Sequence, residues 1–149
     1  MICVGCGKNF LYGIDDIPKA VQFLKQKFRF CNIFAFYGPL GAGKTTLVRA
    51  LLRDCGVQGS ITSPTFTYLN VYKNAQGNKF YHFDCYRLSS VDNFLAAGFD
   101  EYLNDDEGVC LIEWPEILEP LLKKGACKIK IDYTENEDKR LISCEVVGL

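Results

Sequence analysis

The chain has few of the features that mark membrane, secreted or nucleic-acid-gripping proteins. No apolar run approaches the ~20 residues needed to span a bilayer. Neither charge sign dominates: 17 Lys and Arg stand against 18 Asp and Glu, leaving a formal net charge of −1. A free-standing nucleic-acid binder carries a basic face, so this balance leaves room only for RNA reached through a partner. Residues Met1 to Phe10 lack the basic-then-apolar order of a secretory signal, and a cytoplasmic location is expected. There is one histidine, and no second Cys-x-x-Cys accompanies Cys3-Val4-Gly5-Cys6, whereas a structural zinc needs four ligands. No metal is expected there. The eight cysteines are scattered, several within apolar strand-like runs, and in a reducing compartment they behave as small buried hydrophobes. No repeat, low-complexity tract or linker divides the 149 residues, which are expected to form one domain, 1–149, able to bury a proper core.

What is present is concentrated in one segment. Gly38-Pro39-Leu40-Gly41-Ala42-Gly43-Lys44-Thr45 has glycine at the first and sixth positions, then lysine, then threonine, as a phosphate-binding loop requires. Cys31 to Tyr37 runs into it as a short apolar, aromatic-rich segment that predicts a buried strand. Thr46 to Leu52 runs out of it with apolar residues spaced for one helix face. In such a loop the glycines allow backbone conformations that a side chain forbids, and the backbone closes around phosphate. The amides at the helix start point at the anion. Lys44 supplies a mobile charge for the β- and γ-phosphates, and the Thr45 hydroxyl suits magnesium. Gly38, Gly41, Ala42, Gly43, Lys44, Thr45 and Thr46 are therefore the expected nucleotide-binding residues.

The remaining chain alternates strand and helix. Asp15 or Asp16 is placed to cap a helix whose apolar stripe is Ile17, Ala20, Val21, Leu24 and Phe28. Strands are expected over Thr65–Tyr72 and Lys79–Asp84, joined by a turn at residues 74–78. Residues 91–103 read as a helix interrupted at Gly98, and Val109–Glu113 as a buried strand ending in an acid. Two alternating strands, Lys128–Tyr133 and Leu141–Val147, follow. The fold class is α/β: a three-layer P-loop NTPase-like fold with a mixed, mostly parallel sheet and appended antiparallel hairpins.

A phosphate-binding loop needs a carboxylate at the end of a neighbouring strand. Asp84 and Glu113 both fit, because open α/β sheets bind ligands at the carboxyl edge of their strands. From position alone, either acid can hold magnesium while the other orients an attacking water. Lys44, Asp84 and Glu113 are the candidate catalytic residues. Arg87 is suited to anionic recognition, at phosphate or at a partner. Trp114 reads equally as core, partner contact or nucleotide neighbour, and Lys139 and Arg140 as a solvated turn more readily than as base or phosphate contacts.

Four segments occur together in order: residues 38–46, Ser63-Pro64-Thr65-Phe66-Thr67, Tyr81-His82-Phe83-Asp84-Cys85-Tyr86-Arg87-Leu88 and Ile112-Glu113-Trp114-Pro115-Glu116. In this combination the chain resembles the TsaE (YjeE) family of small bacterial P-loop ATPases, which serve threonylcarbamoyladenosine formation beside the tRNA anticodon. The resemblance runs from about Asp15 to Val147. It implies ATP and Mg2+ as cofactors, with Thr45 and Glu113 at the metal-binding positions and Asp84 at a functionally important acid. It also implies a switch-like loop at Ser63 and Thr65, with Arg87 beside it. The partners it implies are TsaD, which carries the transfer chemistry, and TsaB, with TsaC supplying the activated threonylcarbamoyl group. The tRNA would be contacted only indirectly. Pro39 departs from the family, which often has an acid there, and the cysteine-bearing N-terminus lies outside the pattern. Two other readings share the loop: a small-molecule kinase using Asp84 as base and Arg87 as clamp, and a nucleotide-dependent interaction module with little hydrolysis. No arginine-bearing lid insertion of the kinase kind is evident.

Overall fold

A central run of four parallel strands fixes where chemistry can occur. The computed structural model describes residues 9–148; Cys3 and Cys6 lie outside them. The strands are β1 (Asn9–Gly13), β2 (Ile33–Tyr37), β3 (Leu69–Lys73), β4 (Lys79–Asp84), β5 (Gly108–Glu113), β6 (Ala126–Tyr133) and β7 (Lys139–Val147). They form one seven-stranded sheet in the order β1-β7-β6-β2-β5-β4-β3. β2 pairs in parallel with β5 and β6, and β4 in parallel with β5. Hairpins add the antiparallel strands β3 and β7, and β1 closes the second edge antiparallel to β7. Because β2, β4, β5 and β6 point the same way, Tyr37, Asp84, Glu113 and Tyr133 all end on one edge.

Strand alternation sorts the core into two layers. Phe34 and Phe36 of β2, Phe80 of β4, Leu111 of β5 and Ile129 of β6 face α1 (Ile17–Lys25) and α2 (Lys44–Asp54). Ala35, Phe83, Cys110 and Ile112 face α3 (Val91–Ala96), α4 (Asp100–Leu103) and a 3-10 helix, Pro115–Lys124. The result is helix, sheet, helix, a P-loop NTPase-like arrangement. On α2, Leu47, Val48, Leu51 and Leu52 are each fully buried. Burying one such side chain contributes about 1.5–3 kcal/mol, so this stripe clamps the helix, and with it the loop at its start, to the sheet.

Several elements differ from expectation for identifiable reasons. The expected strand from Thr65 pairs only from Leu69: Tyr68 is left-handed, with φ +66°, and its N–H donates to the Pro64 carbonyl at 2.9 Å. A left-handed residue breaks the pleat, so residues 65–68 are a turn. The expected interruption at Gly98 is present: its φ is +77°, and α3 and α4 lie on either side of it. Asp16 stands at the N-cap of α1 but makes no cap hydrogen bond there; its carboxylate accepts from the Gly13 N–H at 3.0 Å. That bond, more than the nearby lysines, holds its pKa below the usual carboxylate range. Strand β1 and the 3-10 helix were not expected. Cys85 and Cys110 are buried free thiols whose pKa burial pushes up to about 12, which makes them poor nucleophiles. Among the described residues no helix is long and apolar enough to cross a membrane.

Candidate nucleotide site

The loop after β2 is shaped by glycine. Gly38, Gly41 and Gly43 all have positive φ, at +154°, +79° and +100°, a region that side chains disfavour. Gly38 has a second constraint: a Cβ there would lie 2.6 Å from the Ile131 carbonyl oxygen. Lys44 opens α2, so the first amides of the helix and the positive end of its dipole face the space above the loop. The Lys44 side chain is only 5% exposed. Its ammonium donates to the carbonyls of Gly38 and Pro39, the latter at 3.0 Å, and lies 3.7 Å from the Trp114 ring centroid. Burial lowers its pKa, while the negative charges of Glu113, Glu116 and Asp84 act in the opposite direction.

The acids arrive by strand parity. Glu113 shares the α2 face of β5 with Val109 and Leu111, and His82 and Asp84 share the same face of β4 with Phe80. The register pairs Asp84 with Glu113, setting both beside the start of α2. Thr45 Oγ1 donates to Glu113 Oε1 at 2.5 Å, and His82 Nε2 meets Glu113 Oε2 at 2.6 Å. Asp84 is engaged differently. Its Oδ1 accepts from the Tyr86 N–H at 3.0 Å and its Oδ2 from the Ser63 hydroxyl at 3.2 Å. Thr65 Oγ1 is 3.5 Å from the Ser63 hydroxyl, so loop 63–65 is tied to the strand end through Asp84.

These groups border one cleft of about 430 Å³, lined by residues 40–46 with Thr65, Asp84, Tyr86, Arg87, Glu113 and Trp114. Gly38, the first glycine of the motif, does not line it. Arg87 is exposed and stacks 4.8 Å over the ring of Phe66, itself 76% exposed. A second hollow of about 540 Å³ lies on the other side of the loop, between residues 12–17 and 137–140, and shares Gly41, Ala42, Gly43 and Thr46 with the first. Lys139 and Arg140, which read in the sequence as a solvated turn, line this hollow. The loop thus separates the cleft that holds Asp84 and Glu113 from a hollow bordered by Asp15, Asp16, Glu137 and Asp138 together with Lys139 and Arg140.

The donor set suits a hard divalent cation. Thr45 and Glu113 present a hydroxyl and a carboxylate oxygen in contact, and Mg2+ takes one or two such protein ligands, completing its shell with phosphate oxygens and water. Among the described residues no three His, Cys, Asp or Glu side chains form a metal cage. Sequence reasoning assigned no role to His82 or Tyr86 and left Trp114 open. The signal for His82 was parity, two residues from Asp84 in an otherwise aromatic strand. Trp114 takes a left-handed conformation, φ +54°, between β5 and the 3-10 helix, and Tyr86 packs on its ring with centroids 4.9 Å apart.

The comparisons with known proteins bear on the family and the fold. Residues 13–142 match the model of a family described as threonylcarbamoyl adenosine biosynthesis protein TsaE. A Haemophilus influenzae protein named tRNA threonylcarbamoyladenosine biosynthesis protein TsaE is 42% identical over 99 residues, covering 66% of this chain and 61% of that protein. The chain thus spans about three-fifths of that relative's length. A Rickettsia conorii protein of the same name is 38% identical over 130 residues, covering 87% of this chain and 72% of its own. The crystal structure of Bacillus subtilis YdiB superposes with a TM-score of 0.69 at 25% identity, covering 96% of this chain and 88% of YdiB. With the match extending over residues 13–142, the chain belongs to the TsaE family.

Proposed function

We propose that this chain is a Mg2+-dependent ATPase, a single P-loop domain working in the cytoplasm, and that it drives the formation of threonylcarbamoyladenosine on tRNA through a partner complex of TsaD and TsaB, downstream of TsaC. The observation that carries the reading is the contact of Thr45 with Glu113 at the first turn of α2, directly beside the loop amides. Relatives named for this tRNA modification support the pathway.

In this reading the amides of residues 41–46 take the phosphates of ATP, and Lys44 exchanges the carbonyls of Gly38 and Pro39 for phosphate oxygens. Thr45 and Glu113 would hold Mg2+, which would supply positive charge against the phosphates. Asp84 faces the same cleft and orients the attacking water by accepting its hydrogen bond. Because Asp84 also accepts from Ser63, any adjustment at the strand end passes to loop 63–67, with Thr65 and Arg87 at the cleft and Phe66, on which Arg87 stacks, outside it. Ordering or shifting such a segment is how P-loop proteins report nucleotide state.

Phosphate release by the purified chain is expected to be slow, and to rise on adding the TsaB–TsaD pair. Co-elution with that pair should require ATP and be lost with ADP or without nucleotide. Complex formation indifferent to nucleotide, with tRNA modification unaffected by omitting this chain, would rule the function out. Asp84→Asn separates hydrolysis from binding. ATP affinity should stay near the wild-type value, while turnover in the assembled complex falls by ~100-fold, the lower end for loss of a general base. Calorimetric titration and phosphate release on the same preparation check it.

A further inference from the structure

We propose that His82 is a positioning residue for the metal site: its imidazole N–H fixes the Glu113 carboxylate in the orientation that accepts Mg2+. The inference rests on the magnesium-nucleotide reading above and concerns a residue which that reading leaves without a role. His82 is 1% exposed and Glu113 2%, and the 2.6 Å contact between His82 Nε2 and Glu113 Oε2 joins them. The other carboxylate oxygen takes the Thr45 hydroxyl at 2.5 Å. Glu113 is therefore gripped at both oxygens, by neighbours on β4 and α2. A glutamate at a strand end has three free side-chain torsions, and few of its rotamers bring an oxygen to Thr45. The grip selects one.

The chemistry fixes the imidazole as well. An ionised carboxylate only accepts, so the hydrogen in this contact belongs to Nε2. His82 Nδ1 is buried without a hydrogen-bond partner among the described residues. In the neutral Nε2–H form it presents a lone pair and leaves no N–H orphaned. An imidazole serving only as core filler is a poor choice here, because Phe80, two residues earlier on the same face of β4, shows that a wholly apolar aromatic ring packs on this side of the strand. The one polar contact His82 makes through Nε2 is with Glu113. Residues that orient a metal-binding carboxylate in this way typically affect metal affinity by ~10–100-fold.

The test uses the full chain saturated with ADP and titrated with Mg2+ by calorimetry, with Mn2+ binding followed by electron paramagnetic resonance as a second readout. His82→Phe and His82→Leu, which keep bulk but remove the donor, should weaken the metal ~10–100-fold while leaving metal-free ADP affinity unchanged. His82→Gln should restore most of the loss, since its amide N–H can donate to the same oxygen. In a Glu113→Gln background, His82→Phe should weaken the metal no further. Wild-type metal affinity in either donorless variant would overturn the proposal. So would failure of both to fold while His82→Gln folds and binds no better, which marks a structural role. A wild-type chain whose ADP complex takes up no Mg2+ would instead overturn the nucleotide reading itself.

Discussion

Replacing Lys44 with alanine is expected to remove tight ATP binding. The ammonium is buried at the start of α2, in reach of the loop carbonyls, and α2 presents no other cation in its first turn. A unit charge 4 Å from a phosphate is worth about 4 kcal/mol at an effective dielectric constant near 20, so the loss should be on the order of a thousandfold. The fold should survive the change. Burial lowers the pKa of Lys44, which means its charge is held at a cost in the native state. A melting temperature close to wild type, together with ATP affinity lost in a calorimetric titration, is the expected pair of results. Unchanged affinity in a folded protein would sink the phosphate-loop assignment.

The second large effect is expected at Glu113→Gln. Glutamine keeps the volume and can still touch Thr45 and His82, but it carries no charge to hold a divalent cation. The part of ATP affinity that depends on Mg2+ should fall by more than the ~10–100-fold that loss of an outer-shell partner costs, and hydrolysis should stop with it. Binding of nucleotide without metal should be unchanged or slightly tighter, because a negative charge has left the neighbourhood of the phosphates. Titrations with and without Mg2+ separate the two effects. If Asp84→Asn abolishes the metal dependence and Glu113→Gln leaves it intact, the roles of the two acids are exchanged.

Most of what assembles the site could be read from local sequence. The loop is a contiguous motif, and β2, β4 and β5 are short apolar or aromatic runs whose ends fall at Tyr37, Asp84 and Glu113. A motif followed by an amphipathic helix leaves little freedom about which face the acids must occupy. The features that escaped are those with no local signature. Strand β1 is five residues, Asn-Phe-Leu-Tyr-Gly, and its pairing partner β7 lies far along the chain. The 3-10 helix carries Pro115 and Pro120 and has no strict 3.6-residue period to detect. The left-handed turns at Tyr68 and Trp114 fall on residues that give no such warning, since glycine or asparagine is the usual sign. The His82–Glu113 contact needed the register of β4 against β5, which is a tertiary fact.

Trp114 is the sole tryptophan of the chain, and its ring centroid lies 3.7 Å from the Lys44 ammonium. Indole emission responds to nearby charge and to hydration. Light absorbed at wavelengths that tyrosine does not use is therefore emitted from a single place, against the side chain that must reach for phosphate. The molecule carries its own optical label at the nucleotide loop, and loading, metal uptake and partner docking can each be followed in the unmodified protein in real time.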